Sequence, residues 1–159
     1  MNKKTLFSCL GAVAVALTTG AAFAQNANED AIRHRQSAYD FAAWNMGKIS
    51  AQVVDGSVPY NKEQVQAAAD AISAVANSGM SALYPAGSDK GTGWKPTRLK
   101  SNFFNELDKV GPIAKNFADE SRKLQEVAAT GDQDKIKAQF GEVGKTCKSC
   151  HDGYRTEAK

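Results

Sequence analysis

Five residues near the end of the chain, Cys147-Lys148-Ser149-Cys150-His151, have the types and the spacing for one defined piece of chemistry. Two thiols three positions apart can add to the two vinyl groups of a haem, and the adjoining imidazole can ligate its iron. On a helix, positions 147, 150 and 151 share one face, so both tethers and the ligand can meet one flat ring. A zinc half-site and a redox dithiol are the other uses of such a pair. A tetrahedral zinc site needs further ligands, and the sequence has no second Cys pair. A thioredoxin-like dithiol follows a strand at the start of a helix, whereas this pair falls in the last turns of a helical pattern. Covalent attachment of one haem c, with iron held by His151, is the reading the motif supports.

The rest of the chain must deliver that motif to the right compartment and fold around it. The 159 residues allow one domain with a short extension. Lys3 and Lys4, an apolar run over 6–17 and Ala22-Phe23-Ala24 read as an export signal over 1–24, cleaved before Gln25. The apolar run is too short for a membrane anchor. Cys9 sits too early, and is followed by Leu10 instead of a small residue, for a lipoprotein signal. Removing the signal leaves Cys147 and Cys150 as the only cysteines, an unusual economy for an exported chain unless the two thiols serve the haem. It also leaves 18 Lys and Arg against 17 Asp and Glu, a formal charge of +1. Near-neutrality argues against nucleic acid as a partner and against strong steering towards a charged redox partner.

The mature sequence is rich in Ala, Lys, Glu and Gln and has no alternating period-2 segment, so it is expected to be all-α. Four apolar stripes of helical period predict an antiparallel up-down-up-down four-helix bundle over 25–159. The first stripe, over 29–54, is Ile32, Arg35, Tyr39, Ala42, Met46, Ile49 and Val53; a charge and a polar-tipped ring stand among its core positions. The second helix is expected over 62–83 with a cap at Asn61 and Gln64, stopped by Tyr84-Pro85. A Gly-rich loop over 85–97 holds Trp94, which could close the bundle end or a haem edge. The third helix is expected over 101–129, kinked or broken at Gly111-Pro112, and the fourth follows a cap at Asp132. Cys147 and Cys150 fall on the core stripe of the fourth helix. The antiparallel order then puts Arg35 and Tyr39 at their level.

Eight residues follow His151, none of them Met or His, so a second iron ligand would have to come from His34, Tyr39, Met46 or Met80. His34 is about 100° off the first stripe. Met46 lies about 10 Å along the helix from Tyr39. Met80 is near the far end of the second helix, and a neutral phenol is a poor iron ligand. Five-coordinate iron facing a crowded pocket is the expectation.

With its C-terminal Cys147–His151 motif followed by Tyr154-Arg155, and Arg35-Gln36-Ser37-Ala38 on the first helix, the mature chain resembles cytochrome c′ along its whole length. The resemblance implies that Arg35 lies near the haem propionates. It also implies that Tyr39 stands over the open iron face and that Arg155 lies by the proximal His151. It implies a periplasmic, non-enzymatic homodimer packed through its first two helices, binding NO or CO. The alternative is an electron-transfer cytochrome with Met-ligated, low-spin haem. A peroxidase is a weaker third, since no distal Arg–His pair is visible.

Overall fold

A computed structural model describes the backbone over residues 9–157 and the side chains over 27–157. The expected export signal over 1–24 therefore lies outside the residues described to side-chain level. Among the described residues the chain forms four α-helices: α1 (Cys9–Val53), α2 (Lys62–Ala76), α3 (Leu107–Thr130) and α4 (Gln133–Tyr154). Two 3₁₀ turns, Met80–Leu83 and Ser101–Asn105, lie between α2 and α3. Helix α1 packs against α2 and α4, and α3 against the same two, which closes the expected four-helix ring.

The helix starts obey local chemistry. Asn61 caps α2 by accepting the Gln64 backbone N–H, and Asp132 caps α4 by accepting that of Lys135. The reciprocal bond of a capping box is replaced: the Asn61 N–H donates to Gln52 Oε1 of α1, 2.7 Å away, while Gln52 Nε2 donates to Gln64 Oε1. Three expected boundaries move: α1 begins at Cys9 and runs through residue 29, where its start is expected, and two others lie further along the chain. Helix α2 stops at Ala76 instead of continuing to 83, because the Asn77 amide donates to Ser73 O and Gly79 turns left-handed at φ 78°. The break expected at Gly111-Pro112 comes earlier, at Glu106, where the 3₁₀ turn ends and α3 begins. Pro112 falls in the second turn of α3, where its missing N–H costs one helical bond without ending the helix.

The interior has two parts. One half is aliphatic: Ile49, Val65, Ala68, Ala69, Ile72, Leu124, Ala128, Ile136 and Val143 are buried together, with Met46 and Phe117 against them. Each large aliphatic side chain buried there contributes about 1.5–3 kcal/mol. The other half is built from rings. Phe103 stacks on Tyr84 at 4.7 Å and meets Tyr154 edge-on at 5.7 Å. This aromatic half is the one that holds the Cys147–His151 turns of α4.

Candidate functional site

Helix α4 keeps its regular hydrogen bonds to Tyr154, so Cys147, Cys150 and His151 stand on consecutive turns of one helix face. Both cysteine side chains are half-buried, and burial pushes both thiols above the usual range. Burial, and then the cations Arg155 and Arg98, push His151 below the usual imidazole range and favour the neutral ring that a metal ligand must be. Arg155 Nη1 lies 3.3 Å from His151 Nε2 and 3.4 Å from Nδ1. Among the described residues no three His, Cys, Asp or Glu side chains gather as a metal cage, which leaves the zinc reading without ligands.

Tyr39 reaches the same region from α1. Burial raises its phenol pKa, and the nearby Cys150 and Cys147 push it the same way. Its Oη accepts a 3.3 Å hydrogen bond from Tyr84 Oη. Tyr84 also feels Cys150, so two phenols and two thiols border one space. This donor set fits a covalent haem: two thiols at the required spacing, a neutral imidazole beside them, and flat rings opposite.

Arg35 is buried, with 5% of its surface accessible, and its guanidinium is fully engaged. Nη1 donates to Leu83 O and Ser88 Oγ, and Nη2 to Ser88 O and Thr97 Oγ1. Its carbon lies 4.8 Å over the Tyr84 ring. Burial lowers its pKa, opposed by Tyr84, Tyr39 and Asp89. Arg35 thus pins the loop after α2 to α1 and fixes Tyr84 beneath it. His34 is exposed, Met46 packs on the aliphatic core, and Met80 begins the first 3₁₀ turn.

Trp94 closes neither a bundle end nor the thiol region. It is 67% exposed and lies on the outer side of α1, where its Nε1 donates to Ser37 Oγ at 2.7 Å and Arg33 sits over its ring. Positions 33 and 37 point away from 35 and 39 on a helix, which is why the ring is far from the site. The loop then returns to the motif. Lys100 N–H donates to Tyr154 O, Thr156 N–H donates to Arg98 O, and the Arg98 guanidinium donates to Thr156 O. Sequence reasoning missed Tyr84, Phe103 and Arg98. Tyr84 reads as a helix stop before Pro85, and only the adjacent pair Phe103-Phe104 hinted at an aromatic wall.

A sequence profile of the family described as Cytochrome C′ matches residues 30–155. The chain is 47% identical over 147 residues to a cytochrome c′ of Allochromatium vinosum, covering 92% of this chain and 94% of that one. It is similar to a solved cytochrome c′ described as having an unusual ligand-controlled dimer dissociation. That likeness has a TM-score of 0.77 and 48% identity, and covers 82% of this chain and 97% of the other. It is also similar to the nitric oxide complex of a leucine-to-isoleucine variant of cytochrome c prime from Alcaligenes xylosoxidans. There the TM-score is 0.71 and the identity 31%, over 82% of this chain and 97% of the other.

Proposed function

The chain belongs to the cytochrome c′ family, with its covalently bound haem c and iron, and on that premise we propose that it is a periplasmic binder of NO and CO whose iron takes His151 as its one protein ligand. The observation that carries the reading is the meeting of Cys147, Cys150 and His151 on α4 with Tyr39 on α1. Haem c, when bound, supplies an iron that takes up a small diatomic ligand and changes between ferric and ferrous states. Cys147 and Cys150 would tether the haem and His151 would ligate its iron. Burial first, and then Arg155 beside the imidazole, favour its neutral form, and Arg155 orients the ring. Tyr39 limits what can enter from the opposite side. Nitric oxide is bound by the Alcaligenes xylosoxidans relative, which supports the ligand class.

Arg35 is proposed to lie near the haem propionates, as the resemblance implies, and its four hydrogen bonds to Leu83, Ser88 and Thr97 also hold the loop and Tyr84.

Residues 1–24 are proposed as the export signal, and among the described residues no helix is long and apolar enough to cross a membrane. A homodimer through α1 and α2 is proposed on two grounds. Phe41 and Trp44 stack on the outer side of α1, 49% and 60% exposed, and a close structural relative is a dissociable dimer. The reading is of a binding and redox protein and not of an enzyme.

The electronic spectrum of the ferric protein tests the coordination. A high-spin spectrum with rapid NO uptake is expected. A low-spin spectrum with a sulfur-to-iron charge-transfer band would replace this reading with a Met-ligated electron carrier, with Met46 or Met80 as the ligand. The placement of Met46 against Ile49 and the aliphatic core speaks against that second reading.

A further inference from the structure

We propose that Tyr84 is a positioning residue for the gas ligand: its hydroxyl engages the acceptor side of Tyr39, so that the Tyr39 proton is the one presented to a diatomic bound over the Cys147–Cys150 face. The inference rests on the reading of Tyr39 as the residue over the open iron face, and it turns that residue from a passive lid into a donor.

Two phenols in contact can each donate to the other, and the surroundings choose the direction. Tyr84 Oη donates to Tyr39 Oη across 3.3 Å. Tyr84 is held on both sides. Arg35 lies 4.8 Å above its ring, and Phe103 stacks 4.7 Å from it at an interplanar angle of 18°. A cation over a phenol ring draws electron density from the ring and makes its O–H a better donor. That cation is itself fixed by hydrogen bonds to Leu83, Ser88 and Thr97, so Tyr84 cannot turn away without loosening the loop. Among the described residues no cation or stacked ring clamps Tyr39 in this way, and its hydroxyl interacts electrostatically with both Cys150 and Cys147. With one of its lone pairs taken by Tyr84, Tyr39 keeps its O–H for whatever sits beside the thiols. Hydrogen bonds in a chain polarise one another, so donation from Tyr84 makes Tyr39 the stronger donor. The result is a short, one-way series, Arg35 to Tyr84 to Tyr39, that ends at the ligand.

The test uses the haem-loaded, ferrous, CO-bound protein and reads the C–O stretching band by infrared spectroscopy. A donor on the ligand oxygen lowers that frequency. Tyr39→Phe is expected to raise it. Tyr84→Phe, which keeps the ring between Arg35 and Phe103, is expected to raise it by a smaller amount and to speed CO dissociation roughly twofold, the size of one polarising contact. The double variant is expected to match Tyr39→Phe alone. Placing 3-fluorotyrosine at position 84 makes a stronger donor without removing any contact, and is expected to lower the band. If Tyr39→Phe leaves the band unmoved, Tyr39 does not touch the ligand, and both this inference and the reading beneath it fall. A band that moves in Tyr39→Phe but stays at the wild-type position in Tyr84→Phe and in the fluorotyrosine protein overturns this inference alone. Additive shifts in the double variant overturn it too, since they would mean that Tyr84 acts on the ligand by a separate route.

Discussion

Tyr39 stands where the thiols of α4 and the phenol of Tyr84 meet, at the position proposed above for the gas-facing side of the haem. Truncating it removes steric bulk and a donor at once. Tyr39→Ala is expected to raise the association rate of CO by about tenfold, which corresponds to a barrier lower by about 1.4 kcal/mol. Stopped-flow mixing of the ferrous protein with CO measures this, and an unchanged rate would take Tyr39 out of the distal role. At this scale the sequence was most readable where chemistry demands neighbours in the chain. Cys147, Cys150 and His151 stand on one helix face with the spacing that covalent attachment of a haem requires, so their spacing alone announces them. Arg35 was readable as an oddity in a core stripe, but its partners were not: Leu83, Ser88 and Thr97 come to it through a loop whose path no periodicity describes.

That loop is the element on which the site depends. Its docking on α1 uses Gln36, whose side-chain Nε2 donates to Lys95 O while its Oε1 accepts from the backbone N–H of Trp94 at 2.8 Å. Gly93 lies at the closest approach. A Cβ there would stand 2.7 Å from Arg33 N and 2.8 Å from Arg33 Cα, both on the rigid backbone of α1. Gly93→Ala is therefore expected to lower stability by about 1–3 kcal/mol, measured by urea unfolding, because neither helix backbone nor loop can yield cheaply. Gly91, at φ 101°, adds a left-handed conformation that a side chain resists. The glycines marked the segment as a loop from the outset, yet composition could not say that it crosses the outer side of α1 and carries Trp94 with it. Likewise the apolar spacing ran on past Ala76, and only the left-handed Gly79 and the bonds made by Asn77 end α2 there.

At the scale of the whole molecule, the division into an aliphatic half and an aromatic half separates holding the bundle together from holding the cofactor. The stripes foretold the bundle, because burying one face of each of four helices leaves few other arrangements. They could not foretell the outer face of α1, where Phe41 and Trp44 stack 5.9 Å apart and Lys48 lies 4.1 Å from the Trp44 ring. Isolated exposed apolar residues are ordinary, but a stacked, exposed pair beside a cation suits an interface. Trp44→Lys is expected to weaken self-association by about tenfold or more, as loss of a central aromatic anchor does, with the haem spectrum unchanged. Sedimentation velocity over a concentration series checks it; a variant as dimeric as the parent would move the interface elsewhere.

The clasp between residues 98–100 and 154–156 ties these scales together. Lys100 N–H and Thr156 N–H each donate across it, and the Arg98 guanidinium and the Lys100 ammonium add bonds to Thr156 O and Asp152 O. The last turn of α4 therefore cannot fray while the loop stays docked on α1, and the loop cannot lift without releasing that turn. In amide hydrogen exchange the two segments should open as a single cooperative unit, with Lys100 and Thr156 sharing one protection factor. The His151 imidazole is thus stabilised against local unfolding by a segment far from it in the chain, and a proteolytic nick in the loop would be felt first as a loosened His151.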